Sequence, residues 1–265
     1  MTREFWQEIV NSKCQVPTDQ NPQSLLPKLL EMLASPDPEL RDGFAYPILA
    51  TWIQKGVFSK DELRSILGIL EQRLEVGLGE TDTDTVFVRS FAVLTLAVLV
   101  NNQTLSLEKT EIHTLLEMVL QYLERERDLR GFVQPGGWAH AVAHIADLLD
   151  EFAVNEHCQT PELENILNAI ANKVAAKSVW LFDEEDRLSY AAARVLGRDL
   201  LSSEFVKTCL EDLAVRVSQA DEQKSNSIPR HNAKGFLRSL YFQVLKLEPS
   251  SKHLELVLGA LEGLD

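Results

Sequence analysis

Two histidines, an aspartate and a glutamate fall in step along one short stretch of this sequence: His140, His144, Asp147 and Glu151, at spacings of four, three and four. Those intervals bring side chains onto one line of an α-helix. The surrounding residues read as a helix from about Trp138 to Phe152. Trp138, Ala141, Val142, Ile145, Leu148, Leu149 and Phe152 form its wide apolar face, with Ala139, Ala143 and Ala146 as a small-residue ridge beside it. A helix buried over most of its circumference ordinarily turns Lys, Glu or Gln to water, so a His/His/Asp stripe is an unusual selection. Histidines at i and i+4 are a workable pair of metal ligands, and an imidazole beside a carboxylate is ordinary equipment for general acid–base catalysis. His140, His144 and Asp147 are therefore the candidate catalytic residues and the candidate ligands of a divalent metal. One ion does not easily reach both ends: His140 and Asp147 lie about 10.5 Å apart along a helix axis. A site would use His140 with His144, or His144 with Asp147, and recruit the rest from a neighbouring helix. A hydrogen-bonded, inert polar ridge is the competing reading.

Acids and arginines surround this stretch. Glu126-Arg127-Asp128-Leu129-Arg130-Gly131 leads into it, and Asp183-Glu184-Glu185-Asp186-Arg187 opens a later helix, where acids complement the helix dipole. Arg41, Arg89 and Arg187 each have an acid two to five residues upstream and read as a ladder of capping ion pairs. Gly136-Gly137 after Pro135 reads as a turn, since neither a P-loop nor Gly-x-Gly-x-x-Gly accompanies it. A Gly-x-Ser-x-Gly elbow and His-Glu-x-x-His are also missing, and no His-Asp or His-Glu dipeptide occurs. That last absence argues against iron hydroxylases built on helical repeats.

The elements that would position these residues are helical throughout. Apolar residues recur at i, i+3, i+4 and i+7, as in Leu63, Ile66, Leu67, Ile69, Leu70 and Leu74, and again in Leu115, Leu116, Val119, Leu120 and Leu123. Strand-like alternation is not sustained. The helices pair, and the second member of each pair starts near a basic or aromatic marker: Arg41, Arg89, Trp138, Arg187 and Lys234, separated by 48, 49, 49 and 47 residues. A period of this length predicts a single all-α domain over 1–265, a right-handed α-solenoid of stacked helix pairs of HEAT or armadillo type. Five repeats fit, at about 24–54, 61–101, 109–152, 161–198 and 203–247, with cap helices at about 3–13 and 252–264. Thr81 to Thr85 reads as a polar turn that caps the next helix, and Ser218 to Ala233, which contains Pro229, reads as a long exposed loop.

With 265 residues and 45% hydrophobic content there is material for a continuous core. The longest apolar runs, such as Phe91 to Val100, are too short to span a bilayer. The N-terminus lacks the apolar region and cleavage site of a signal peptide. Three widely spaced cysteines, Cys14, Cys158 and Cys209, read as idle thiols. A cytoplasmic location follows as the expectation. A net charge of −14 with no basic run disfavours nucleic acid and anionic membrane as partners.

Leu40-Arg41-Asp42 with Thr51-Trp52-Ile53, Val86-Phe87-Val88-Arg89-Ser90-Phe91, Arg130-Gly131-Phe132, Gly137-Trp138-Ala139-His140-Ala141-Val142-Ala143-His144 and Glu185-Asp186-Arg187-Leu188 together resemble the bacterial domain of unknown function 2785 family. The resemblance covers most of the chain and implies an intracellular bacterial protein, with no activity attached. Two functional readings follow. The first is a binding module whose inner-helix face around His140 and His144 holds a protein, peptide or small molecule, through Arg89, Arg130, Trp138, His140, His144, Asp147, Asp186 and Arg187. The second is a metal-dependent hydrolase or general acid–base enzyme using His140, His144 and Asp147.

Overall fold

The computed structural model describes residues 1–224 and 227–264, and among them twelve α-helices account for most of the chain. The fold is all-α, relieved by a two-stranded ribbon. It divides into two compact units: residues 1–108 with 125–144, and residues 109–124 with 145–265.

The first unit begins with α1 (Arg3–Asn11) and α2 (Pro22–Leu33), followed by a π-helical segment (Glu39–Ala45) that runs straight into α3 (Tyr46–Gln54). Then come α4 (Lys60–Arg73) and α5 (Thr85–Val100). Local chemistry marks the starts. Asn21 accepts a hydrogen bond from Gln23 N at the head of α2, and Ser59 and Glu62 exchange bonds as a capping box on α4. Leu63, Ile66, Leu67 and Leu70 of α4 are buried, whereas Ile69, expected on the same stripe, is exposed. It is two residues, about 200°, from Leu67 around the helix. Helix α5 is buried on almost every side, through Val86, Phe87, Phe91, Ala92, Val93, Leu96, Leu99 and Val100, and packs on α3 and α4. Each large apolar side chain enclosed there contributes about 1.5–3 kcal/mol. Asp84, at the N-cap of α5, makes no side-chain cap; the Thr83 and Thr85 hydroxyls instead donate to Glu80.

Beyond α6 (Lys109–Arg125), strands β1 (Phe132–Val133) and β2 (Gly137–Trp138) pair antiparallel, Phe132 opposite Trp138 and Val133 opposite Gly137. This corrects the sequence expectation. Trp138 to His140 are not helical: α7 begins at Ala141 (Ala141–Val154), and His140 before it has a left-handed φ of 45°.

The second unit holds most of α6 and α7, then α8 (Thr160–Val174), α9 (Glu184–Gly197), α10 (Ser203–Lys224), α11 (Ile228–Leu247) and α12 (Leu254–Glu262). Helix α9 packs most extensively on α11, and α12 packs on both α10 and α11. The long loop expected over Ser218 to Ala233 is largely absent. Helix α10 continues to Lys224, and α11 starts at Ile228 with Pro229 in its first turn, where a missing N–H does no harm. Ser225 and Asn226 lie outside the described residues.

Candidate functional site

The residues at the hairpin are held by three arginines, Arg41 and Arg89 fully buried and Arg130 partly so. Arg89, in the second turn of α5 and fully enclosed, grips Glu126 with two parallel bonds, Nε to Oε2 at 2.5 Å and Nη2 to Oε1 at 2.9 Å. Its Nη1 also donates to Thr85 Oγ1 and the Val76 carbonyl, so one side chain ties the α4–α5 connection to the chain leaving α6. Glu126 accepts the Asp128 amide as well, at 2.8 Å. The buried Asp128 carboxylate then receives both faces of the Arg130 fork, at 2.7 and 2.6 Å, and the Asp82 amide at 3.0 Å. The hydrogen bonds that Arg130 donates to Asp128 raise it above its ordinary value. Arg130 completes the clasp by donating to the Thr83 carbonyl. The cost of enclosing these charges is offset by the several charge-assisted hydrogen bonds they share.

A third arginine fastens the ribbon from the other side. Arg41, on the π-helical segment and fully buried, donates to the carbonyls of Ser35 (2.8 Å), Gly136 (2.7 Å) and Trp138 (3.3 Å), and pairs with Asp42 at 2.7 Å. Its guanidinium also lies over Phe87 and Phe91, 4.1 and 4.7 Å from the ring centres. Burial pulls Arg41 below its ordinary value, with Asp42 opposing the shift, and pushes Asp42 up, with Arg41 opposing that. The two glycines at the turn answer to packing. A Cβ on Gly136 would sit 2.6 Å from Phe87 Cζ, and Gly137 combines a φ of +77° with 2.7 Å to Pro38 Cβ.

The ribbon's pairing carries on past β2: Ala139 N donates to the Gly131 carbonyl at 2.8 Å and His140 N to the Arg130 carbonyl at 3.1 Å. A chain of rings results. Phe132 and Trp138, 40% and 37% exposed, meet edge to face at 4.9 Å. Trp138 lies over His140 at 4.2 Å, His140 meets His144 at 5.7 Å, and His144 meets Phe91 at 4.9 Å. His140 and His144 are 7% and 5% exposed, so the accessible end of the chain is aromatic and the imidazoles lie beneath it. The His144 Nδ1 lies 3.2 Å from the Ser90 carbonyl. A carbonyl only accepts, so Nδ1 is the donor in this contact. No group of three or more His, Cys, Asp or Glu placed to hold a metal ion occurs among the described residues.

The remaining candidates lie in the second unit, where Arg187 donates to Asp147 at 2.7 Å. Burial pushes Asp147 up to about 6, Arg187 opposing and the nearby Asp150 and Glu151 adding to it. Asp186 accepts from Ser239 and Gln243 of α11, and Arg194 pairs with Asp150 at 3.0 Å. The expected ladder of local capping pairs is thus corrected. Arg89 reaches Glu126, Arg187 reaches Asp147, and Arg41 pairs with the acid that follows it. The cysteines are buried and free, with Cys158 pushed up to about 12 and Cys209 to about 11 by burial.

Sequence reasoning missed Phe132, whose exposure depends on a strand too short to show alternation, and the roles of Arg41, Glu126 and Asp128. The density of charge in Glu126-Arg127-Asp128-Leu129-Arg130 was the available signal, because two carboxylates there leave water only by meeting arginines.

The family model described as Protein of unknown function (DUF2785) matches residues 74–242, well over half of the chain, and the chain belongs to that family. No curated protein and no solved structure matches it.

Proposed function

We propose that this member of the family is a binding protein whose recognition surface is the exposed aromatic pair Phe132 and Trp138, with His140 and His144 stacked behind it. One observation carries the reading: two large exposed rings stand on a ribbon whose backbone is held by the buried Arg41. Rings fixed in advance lose little entropy on binding, and such anchors dominate interface energetics. Arg89 and Arg130 act as positioning residues, and Asp147, Asp186 and Arg187 brace α7, α9 and α11. The partner is a peptide segment offering a basic or aromatic side chain, since ring faces attract cations and the chain carries a net charge of −14. A cytoplasmic setting accords with three free cysteines and with no described helix long and apolar enough to cross a membrane.

The scaffold in this reading is an α-solenoid of about five helix pairs. Its support is the recurrence of markers at 47 to 49 residues and the pairwise helix packing inside each unit. Small-angle scattering tests it: an elongated particle is expected, and a sphere of the same mass contradicts it. For recognition, a peptide library displayed on phage is panned on the full chain. Enriched peptides bind wild type and bind Trp138→Ala at least about tenfold more weakly, the loss of one aromatic anchor. Equal affinity defeats the proposal.

A second reading, divalent-metal or acid–base chemistry at His140 and His144, draws on their 5.7 Å ring separation and the left-handed backbone at His140. Stoichiometric zinc, iron or manganese that is lost in His144→Ala would favour it over binding alone.

A further inference from the structure

A second feature lies far along the chain from the hairpin. In the second unit, the end of α9, the end of α11 and the turn before α12 enclose a cleft of about 590 Å³. That is the size of a small-metabolite site, and part of its wall is apolar, from Val154, Leu196 and Leu247. His253 lines it while only 1% exposed, and neither ring nitrogen has a hydrogen-bond partner among the described residues. A buried imidazole is rarely left without partners in a folded protein. Burial, reinforced by Lys252, holds this ring below its ordinary value, so it offers one N–H donor and one acceptor.

Cations stand on the same wall. Arg198 spends its Nη groups on the carbonyls of Ala153 (2.7 Å), Asn155 (3.1 Å) and Cys158 (3.2 Å). Those partners are neutral, so the guanidinium keeps its full charge, and its Nε–H makes no bond among the described residues. Lys252 reaches the exposed Asp199 at 2.7 Å, and Glu248 turns to Ser250. Asp199 is thus paired with Lys252, while Glu248, bonded to a neutral hydroxyl, keeps its charge; Arg194, Arg198 and Lys252 still outnumber the two acids of the lining.

We propose that this cleft binds a small organic carboxylate with an apolar body. The carboxylate meets Arg198 and Lys252, the apolar part lies on Val154, Leu196 and Leu247, and a polar group of the ligand, or the carboxylate itself, engages His253. The site is independent of the hairpin surface and stands or falls separately from it.

Histidine-labelled full-length protein is titrated with benzoate, benzamide or inorganic phosphate, and the ring signals are followed by NMR. The His253 signals are identified by their loss in His253→Phe. Benzoate is expected to shift them saturably at millimolar concentration. Benzamide, which lacks the charge, should bind about tenfold more weakly or worse, and so should benzoate to Lys252→Met. Lys252 is half exposed and its replacement leaves the core untouched, so this variant decides the matter if His253→Phe does not fold. Three results each overturn the proposal: no saturable shift at His253 with benzoate, equal binding of benzamide, or full affinity in Lys252→Met. Phosphate binding without benzoate binding also overturns it, because the apolar wall would then play no part.

Discussion

Replacing Arg41 by methionine removes a fork that satisfies three carbonyls, and the size of the effect follows from what is left behind. The Ser35, Gly136 and Trp138 carbonyls lose a charged donor, and Asp42 loses its counter-ion. Bonds to charged groups contribute about 1.5–3 kcal/mol each, which would sum to far more than any real variant loses. Against this stands the desolvation of a fully buried guanidinium, several kcal/mol that the variant no longer bears. Methionine also keeps apolar contact with Phe87 and Phe91. The net expectation is a loss of about 2–4 kcal/mol, with the ribbon released first because Arg41 is its link to the π-helical segment. The assay is direct. Of the four tryptophans, Trp6, Trp52 and Trp180 are buried and Trp138 alone is exposed, so acrylamide quenching of the accessible fraction reports the hairpin. Quenching of Trp138 should rise in Arg41→Met below the urea concentration of global unfolding, and Arg41→Lys should fall between it and wild type, keeping charge without the fork. Unchanged quenching together with a loss below about 1 kcal/mol refutes the assignment of Arg41 as the hairpin's anchor.

Gly137→Ala should cost about 2 kcal/mol or more, from its left-handed backbone and the 2.7 Å approach to Pro38, whereas Gly56→Ala, with φ of +67° and open space, should cost only about 1 kcal/mol; equal losses by urea unfolding would contradict the close packing. In a double-mutant cycle, Arg89→Met or Glu126→Leu alone should each lose about 3–5 kcal/mol and the pair together less than the sum, while strict additivity would deny the buried pair. Asp147 should titrate near 6 by carboxyl-carbon NMR, and Arg187→Gln should move it higher by removing the opposing charge. Because its folded value is raised, Asp147 favours the folded state below the unfolded value near 4 and loses that contribution as pH rises through about 6; a melting-temperature profile in which Asp147→Asn keeps the wild-type slope over that window would contradict this.

The helices were legible because their cause is local and periodic. The stripe in α4 and the markers at Arg41 and Arg89 record which side of each helix leaves water, whereas Arg187 stays partly in it. Trp138 to His140 show where that logic fails. Their apolar spacing continues the pattern of α7 upstream, yet the backbone there is claimed by β1 and by Arg41, partners about 6 and 97 residues away. Long-range pairing overrode local propensity, and no window of sequence contains it. The same holds for the arginines. Nearby acids looked like their partners, but a buried guanidinium takes whichever carboxylate the fold encloses with it, and for Arg89 that was Glu126. At the other end of α11, Pro229 suggested a break but entered a helix at its first turn, the one place where proline is harmless. His253 gave no signal at all, since a lone histidine beside a lysine is commonplace, and its interest arises only from the cleft around it.

Calorimetric titration of a phage-selected peptide into wild type, Trp138→Ala and Phe132→Ala shows whether Phe132 and Trp138 form a recognition surface set on a rigid support. Saturable binding to wild type is expected, with affinities at least about tenfold weaker in both variants at unchanged melting temperature. Undiminished binding to Trp138→Ala would contradict it.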